Sequence, residues 1–306
     1  MSFSRKQLGL LVLLTVVWGL NWPVMKMGID GGYPPLFFRT LSLLIGIPVL
    51  ALGLWWLKTP FTIPRQYWPE VLWLSVFNMF IWHALMIIAV TMLSSGRAAI
   101  LGYTMPIFSA LFGAAFFGAV LTGRSWLGVA AAATGVSLLL WHELTGLSGK
   151  PLGVVLALLA ASTWAYGTQR LRNSEMPVQT LTISFWMTVL TGVVMSTLTT
   201  LFEREQWRMP SDTNWFGILY NAVLVFGFAH AAWFYLARSL PPVASTLSVM
   251  LIPVLGVFAG AAFLSEQLHW QDYAAVALMV AAIASVLMPS FKAKTSHTNQ
   301  SQNHDL

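Results

Sequence analysis

An internal duplication constrains this chain more than any other feature of its sequence. The segment Ala98–Phe117, AAILGYTMPIFSALFGAAFF, returns in altered form at Ser245–Leu264 as STLSVMLIPVLGVFAGAAFL. A shift of 147 positions (253 − 106) places Pro106 on Pro253. Each copy is about twenty apolar residues long and contains a proline. A membrane helix tolerates such a proline better than a soluble helix, where it costs roughly 3 kcal/mol. The sequence therefore predicts two related halves built from membrane helices.

The composition supports a lipid environment. Hydrophobic residues make up 57% of the 306 positions and charged residues 8%, whereas a soluble domain carries about 25% charged residues. At about 20 apolar residues per span, ten spans use roughly two thirds of the chain and leave only short connectors. There is no cysteine, which excludes disulfides, thiolate metal sites and thiol catalysis. The net charge of +6 is spread over short loops, so we expect no nucleic-acid partner.

We predict an all-α integral membrane protein with ten transmembrane helices. The first apolar run follows two basic residues, but it is span-length and lacks a small-residue cleavage site, so it is interpreted as an uncleaved signal anchor. A polar tail, residues 290–306, is predicted to be disordered. The predicted spans are Leu8–Met27, Leu36–Leu57, Val71–Val90, Ala98–Phe117, Trp126–Trp141, Leu152–Leu171, Leu181–Phe202, Trp215–Leu236, Val243–Leu264 and Tyr273–Met288.

The spans divide into two five-helix repeats, residues 8–142 and residues 150–289. Because five is odd, the two repeats would lie in the membrane with opposite orientations, and such inverted repeats are typical of secondary transporters. With the N-terminus inside, ten Lys and Arg residues fall on the inner side and six on the outer side. The positive-inside rule therefore predicts that both termini, and the tail, are cytoplasmic.

Short motifs within and beside the predicted spans suggest a family. They are Trp18-Gly19-Leu20-Asn21-Trp22, Phe37-Phe38-Arg39, Pro106 with Pro253, and Ser265-Glu266-Gln267-Leu268. With these motifs the chain resembles the drug/metabolite transporter superfamily, specifically its ten-span EamA-type members, over nearly everything from Leu8 to Met288. The resemblance implies a secondary transporter, often an exporter, with a central cavity lined by the first, third, fourth, sixth, eighth and ninth spans. Similar proteins also carry a glutamate between the fourth and fifth spans. Gly118–Leu121 stands there instead, so Glu266 is not expected to form half of a symmetric ion site.

Two histidines lie inside predicted spans at equivalent places of the two repeats, His83 and His230. Ionisable groups in a membrane are costly and usually face a cavity or a partner. From the span starts, each is expected about 5 Å from the midplane, on opposite sides. Both are predicted to line the cavity, and protonation of either is a candidate for coupling to transport. Alternatively, both are core histidines that donate to backbone carbonyls.

Aromatic and amide side chains supply the other predicted substrate contacts. Aromatic rings can sandwich planar substrates or attract a cation, and Asn21 either points at substrate or bonds to another helix. Tyr103 precedes a proline that leaves a carbonyl unpaired, and both features could form part of the site. The candidates besides the two histidines are Trp18, Asn21, Trp22, Tyr103, Trp164, Tyr166 and Trp233.

Prolines and one arginine complete the candidate site. Pro106 and Pro253 are candidates for gating or hinge positions, although packed proline kinks are also frequent in spans. Arg39 is predicted to contact an anionic group such as a substrate carboxylate. The alternative for Arg39, as for Lys26 and Arg97, is that the side chain extends toward the lipid headgroups. Glu266 lies at a span end close to water, so capping of a helix or pairing within a loop is enough to explain it.

A membrane enzyme is the main alternative from another class. The sequence contains no HExxH or GxSxG motif, no clustered metal ligands and no Walker lysine, so neither intramembrane hydrolysis nor ATP-driven transport is supported.

We therefore predict a bacterial inner-membrane transporter that exports amino acids or related metabolites by alternating access, without metal or cofactor. A drug, nucleoside or vitamin transporter of the same fold remains the alternative. Expected partners are a small-molecule substrate, the bilayer and, as a coupling ion, protons; monomer and homodimer both stay open.

Overall fold

A computed structural model describes residues 5–145, 150–239 and 242–287 of the chain. These residues form helices and connectors, with no β-strand among them. The α-helices are α1 (Arg5–Gly28), α2 (Pro35–Trp56), α3 (Trp68–Leu74), α4 (Ile81–Met92), α5 (Ser95–Gly102), α6 (Met105–Phe116), α7 (Gly123–Thr145), α8 (Pro151–Arg172), α9 (Thr180–Phe202), α10 (Asp212–Tyr220), α11 (His230–Ser239), α12 (Pro242–Leu264) and α13 (Trp270–Leu287). The all-helical prediction is confirmed, and the predicted tail, residues 290–306, lies outside the described residues.

Apolar helices of membrane-spanning length dominate the described part of the chain. Seven of them are long and apolar enough to cross a bilayer, and the stretches Leu251–Leu264 of α12 and Trp270–Ser285 of α13 are apolar as well. Each predicted span falls largely on helical structure, and Met288 at the end of the tenth lies outside the described residues. The count of ten membrane crossings, the inverted arrangement and the cytoplasmic termini stay predictions.

Two of the spans contain π-helical turns that the sequence did not reveal. Segment π1 (Ser75–Phe80) joins α3 to α4, and segment π2 (Asn221–Ala229) joins α10 to α11. Shifted by the repeat distance of 147, π1 covers residues 222–227 (75 + 147 and 80 + 147), which lie within π2. The duplication therefore extends to the local backbone geometry. π-Helical turns are rare and often occur at functional sites.

The predicted fourth span is two helices rather than one kinked helix. Helix α5 ends at Gly102, and α6 begins at Met105 with Pro106 in its first turn. A proline in a first turn costs no intrahelical hydrogen bond. Tyr103 and Thr104 form the break, where Thr104 N donates to Leu101 O at 3.2 Å instead of continuing the α-helical pattern.

The core forms where the two halves of the chain meet. Helix α1 packs on α12, α4 on α8, α7 on α13, and α2 on both α9 and π2. Small residues allow the helices to approach closely: a Cβ at Gly19 would lie 2.7 Å from Leu255 Cβ, and a Cβ at Gly256 would lie 2.7 Å from Ala99 Cβ. Lipid gives little hydrophobic drive for helix association, so such close packing matters for stability in a membrane.

Polar contacts join the halves at the end of the bundle where α1 ends. Glu266 accepts hydrogen bonds from Ser95 N at 2.7 Å and Ser95 Oγ at 2.9 Å, so it caps α5. Arg97 Nε lies 2.8 Å from Asp272 Oδ1 in a buried ion pair.

Lys26 Nζ donates to the carbonyls at the end of α4, Val90 O and Leu93 O, at 2.8 Å each. The capping interpretation of Glu266 thus agrees with the structure, whereas Arg97 and Lys26 bind protein groups rather than extending toward headgroups.

A second acidic side chain caps α2 at the same end. Glu203, which follows α9, accepts hydrogen bonds from Leu36 N at 3.0 Å and Phe37 N at 2.8 Å. These amides belong to the first turn of α2, where backbone N–H groups have no partner within the helix. Burial raises the pKa of Glu203, while the hydrogen bonds from these amides act in the opposite direction.

Replacing Glu203 by alanine is expected to lower the free energy of unfolding by about 1–2 kcal/mol, because two backbone amides of α2 lose their acceptor. The raised pKa means that the folded state holds this proton more tightly than the unfolded state. The contribution of Glu203 is therefore full below about pH 4.5 and decreases as the pH rises through the folded-state pKa. Thermal unfolding of both proteins in detergent at pH 5 and pH 8 should show the larger difference at pH 5. An equal or larger difference at pH 8 would contradict this assignment.

Candidate functional site

A small cavity lies in the core between the two halves of the chain, and we call it the central cavity. Its volume is about 40 Å³, room for about three water molecules. Helices α1, α2, α4, α6, α8 and α11, the break between α5 and α6, and π2 all contribute to its lining. The lining residues are Trp18, Asn21, Trp22, Met25, Arg39, Trp82, His83, Met86, Tyr103, Met105, Trp164, Val225 and His230.

Seven of the nine predicted substrate contacts line this cavity: Trp18, Asn21, Trp22, His83, Tyr103, Trp164 and His230. Their rings contact one another. The ring centroids of Trp18 and Trp164 are 6.4 Å apart in an edge-to-face arrangement, and those of Trp22 and Tyr103 are 6.2 Å apart. Such an aromatic wall can hold a planar or apolar body by stacking and dispersion.

Tyr166 is not brought to the cavity, although the sequence grouped it with Trp164. Two residues along an α-helix correspond to about 200° of rotation, so neighbours at this spacing point to opposite faces. Tyr166 instead contacts the rings of Trp73, Phe77 and Phe112, at centroid distances of 5.1, 5.7 and 5.6 Å. The structure therefore corrects the placement of Tyr166.

Trp233 contacts the aromatic wall but does not line the cavity. Its ring centroid is 5.6 Å from that of Trp18, but Trp233 is absent from the lining. Its Nε1 is buried without a hydrogen-bond partner among the described residues. Trp233 is thus placed to support Trp18 from the second half of the chain.

Arg39 contributes a buried positive charge to the cavity. Only 2% of the residue is exposed, which excludes the alternative that it extends toward the headgroups. Its Nη1 donates to Asn221 Oδ1 at 2.9 Å, and its Nη2 lies 2.7 Å from Met25 Sδ. Its guanidinium carbon also lies 5.6 Å from the ring centroid of Phe226, within the range of a cation–π contact.

No carboxylate neutralises Arg39 within the part of the chain that the structure describes. Salt bridges described there join Arg97 to Asp272 and Arg170 to Glu70, and neither involves Arg39. The Nε of Arg39 is buried and has no hydrogen-bond partner in the described part of the chain. Buried charges are normally paired, so this guanidinium is available to an anionic group that enters the cavity.

The two equivalent histidines meet inside the cavity. Their ring centroids are 5.1 Å apart, closer than the opposite placements about 5 Å from the midplane had suggested. That estimate assumed the α-helical rise throughout, whereas π1 lies just before His83 and π2 ends where α11 begins at His230. The π-helical turns change both the rise and the direction of the side chains that follow.

The histidines have different hydrogen-bond environments. His230 Nδ1 lies 2.8 Å from Val225 O. Since a carbonyl only accepts, His230 Nδ1 carries a proton, and its Nε2 is an acceptor when the ring is neutral. This is the backbone contact that the core alternative predicted, and it occurs in a residue that also lines the cavity. His83 Nε2 is buried without a partner among the described residues.

Asn21 adds an unpaired acceptor to the site. Its Oδ1 is buried and has no hydrogen-bond partner in the described structure. Arg39 and Asn21 both line the cavity beside its aromatic residues, and each has one buried polar atom without a partner among the described residues, the donor Arg39 Nε and the acceptor Asn21 Oδ1. This arrangement suits recognition of a small molecule that has an anionic group, a hydrogen-bond donor and an apolar body. The described residues contain no cluster of potential metal ligands.

The two proline candidates occupy different positions. Pro106 starts α6 directly after the break that carries Tyr103, so it lies next to the cavity. Pro253 lies inside α12, which continues through it. Neither placement tests a gating role.

Sequence reasoning missed several residues of the site. Trp82 lines the cavity, and its ring centroid is 5.2 Å from that of Trp164. Its position inside a span, next to His83, separates it from the tryptophans at span ends. Asn221 was also missed, although it is an amide within an apolar span, the property that drew attention to Asn21. The methionines of the lining carry no comparable signal.

Comparison with known proteins places the chain among transporters. A chain from Bacillus subtilis named uncharacterized transporter YoaV is 24% identical over 84% of this chain and 88% of its own length. The uncharacterized inner membrane transporter YedA of Escherichia coli strain K12 is 25% identical over 92% and 91%. A probable amino-acid metabolite efflux pump of the same strain is 24% identical over 90% and 93%.

Structural and family comparisons agree with these relatives. A solved crystal structure superposes with a TM-score of 0.70 at 20% identity, over 92% of this chain and 98% of the other, which shows a shared fold. The model of the EamA-like transporter family matches residues 6–141 and again residues 151–288. Since these two matches cover nearly the whole sequence, the chain belongs to the EamA-like transporter family of the drug/metabolite transporter superfamily.

Proposed function

We propose that this membrane transporter is a secondary exporter of amino acids or related metabolites in a bacterial inner membrane. The observation that carries the proposal is the central cavity, where both halves of the chain surround Arg39 with aromatic side chains. Some relatives are named probable amino-acid metabolite efflux pumps. An amino acid or a related acid has the groups that this cavity can bind.

Arg39 is the proposed anchor for the substrate carboxylate. A guanidinium can bind a carboxylate through two parallel hydrogen bonds, which fix its orientation. The aromatic rings of Trp18, Trp22 and Trp164 would hold the apolar part of the substrate. An ammonium or amide group would reach the free acceptor Asn21 Oδ1 and the faces of the rings.

Alternating access fits the size of the cavity. A volume of about 40 Å³ is too small for an amino acid, since ligand pockets usually measure about 300–1,000 Å³. Substrate entry therefore requires the helices around the cavity to separate. In the proposed cycle, the two five-helix repeats move relative to each other and open the cavity to one side of the membrane at a time.

Transport in proteoliposomes tests this function. Purified protein would be assayed for uptake and efflux of a panel of labelled amino acids, with and without an imposed pH gradient. Flux of a carboxylate-bearing compound supports the proposal. If the flux also follows the pH gradient, protons become the coupling ion and the two histidines the first candidates for carrying them. Flux of nucleosides, vitamins or drugs, with none of any amino acid or related acid, would refute the proposed substrate class.

Replacing Trp18 or His83 by alanine is expected to lower transport about tenfold or more, because each loses contact area at the centre of the cavity. Both variants should still insert into the membrane. Tyr166→Leu is the matched control, since Tyr166 is an aromatic residue of a neighbouring helix that faces away from the cavity. Initial rates at equal protein content measure the effect. Wild-type rates for both cavity variants would show that neither Trp18 nor His83 belongs to the substrate site.

A further inference from the structure

Asn221 is a buried residue whose role the proposed function leaves open. It begins π2 and is fully buried. Its Oδ1 accepts the hydrogen bond from Arg39 Nη1 at 2.9 Å, and its Nδ2 donates to Gly217 O at 3.0 Å. The bond to Gly217 fixes which side of the amide faces Arg39. The guanidinium is thus held in place by an oxygen that bears no net charge.

The chemistry of this partner decides how much charge the cavity carries. A carboxylate at the same place would hold the guanidinium equally well, but it would cancel the positive charge. An amide positions the guanidinium and leaves the charge available to a ligand. Elsewhere in the described structure, a carboxylate does neutralise a buried arginine, because Arg97 pairs with Asp272 at 2.8 Å.

We propose that Asn221 sets the charge selectivity of the central cavity: it positions Arg39 for an anionic substrate group without competing for its charge. This inference rests on the proposed function for the identity of the ligand. That the charge of Arg39 is not neutralised by its partner Asn221 is a separate claim. Asn221 is a positioning residue, since it is absent from the lining of the cavity.

A test that needs no substrate compares two substitutions of the same kind. Asn221→Asp would place a carboxylate against the free charge of Arg39. Asn78→Asp is the control, because Asn78 is a fully buried asparagine in π1 whose amide oxygen accepts from Thr168 Oγ1 at 3.1 Å. Its Nδ2 has no partner among the described residues, so the control loses no bond donated by the amide. The control buries a carboxylate beside a hydroxyl, and its apparent melting temperature is expected to fall on the order of 10 °C. The apparent melting temperature of Asn221→Asp should fall clearly less, because the new ion pair with Arg39 offsets the lost hydrogen bond to Gly217. Equal losses would overturn the inference.

A binding measurement tests selectivity directly. The probes are L-phenylalanine and L-phenylalaninamide, which have the same apolar body but differ in the carboxylate. Calorimetry with the purified wild-type protein should show a preference for phenylalanine of at least tenfold, that is about 1.4 kcal/mol. Asn221→Asp should abolish or reverse this preference. Asn221→Ala should bind both probes more weakly and still prefer phenylalanine, because the charge of Arg39 remains.

The outcomes separate this inference from the proposed function. If the wild type binds neither probe or does not prefer phenylalanine, the proposed carboxylate contact fails for this ligand class. The comparison of melting temperatures still decides whether Arg39 carries a charge that its partner does not neutralise. If the wild type prefers phenylalanine and Asn221→Asp keeps the full preference, the inference about Asn221 is wrong while the proposed function stands. A purely structural role for Asn221 would weaken binding of both probes in every variant without changing their ratio.

Discussion

Replacing Arg39 by leucine is expected to reduce transport of carboxylate substrates by roughly thirtyfold or more. Truncating a buried, hydrogen-bonded charge at a binding site typically costs 2–5 kcal/mol, and each 1.4 kcal/mol corresponds to a factor of ten. The structure shows Arg39 in the wall of the central cavity, and its Nε has no hydrogen-bond partner among the residues described. Initial transport rates in proteoliposomes, at several substrate concentrations, measure the loss.

The stability of the same variant distinguishes a lost contact from a damaged fold. A leucine removes a buried charge that no carboxylate of the described residues neutralises. The apparent melting temperature of Arg39→Leu should therefore equal or exceed that of the wild type. Arg39→Lys keeps the charge but loses the planar fork that can bind a carboxylate through two hydrogen bonds, so it should recover only part of the transport. Wild-type transport by Arg39→Leu would show that the substrate anchor lies elsewhere.

Replacing Asp272 by alanine is expected to destabilise the protein by about 3–5 kcal/mol, because it removes the carboxylate from a buried ion pair. Asp272 Oδ1 lies 2.8 Å from Arg97 Nε, and its Oδ2 accepts a hydrogen bond from His269 N at 2.8 Å. The second contact caps the beginning of α13. Apparent melting temperatures in detergent, at a fixed heating rate, should therefore fall on the order of 10 °C.

Two further variants check this explanation. Glu70→Ala breaks the looser contact of Glu70 Oε1 with Arg170 Nε at 3.9 Å. Since Arg170 is more than half exposed there, the change should cost less than about 1 kcal/mol. Combining Asp272→Ala with Arg97→Leu should recover part of the lost stability, because no buried guanidinium is then left without its carboxylate. If the double variant is less stable than the single one, the ion pair is not the source of the effect.

The sequence predicted the helical class and most of the central cavity because both depend on simple patterns. Apolar runs of span length define the helices, and the duplication places His83 and His230 at equivalent positions. Residues four apart on α1, Trp18 and Trp22, share a face and both line the cavity. The sequence does not place Tyr166 correctly, because its position along a span leaves its direction around the helix open.

Other features depend on contacts between distant parts of the chain, which a single sequence does not display. Arg39 reaches Asn221 across 182 positions of sequence. The capping of α2 by Glu203 likewise joins residues more than 160 positions apart. A polar residue near a span end can extend to the headgroups, cap a helix or enter the core, and only the packing of the surrounding helices decides among these outcomes.

The π-helical turns change how this chain should be aligned with others. A π turn bonds each residue to the fifth one along instead of the fourth, so it holds one residue more than an α turn at the same place. Against a relative whose third span is α-helical throughout, a correct alignment needs a single-residue gap within Ser75–Phe80, where gaps are ordinarily avoided. An alignment without that gap shifts His83 by one position, about 100° around the helix, and compares a cavity residue with one that faces elsewhere.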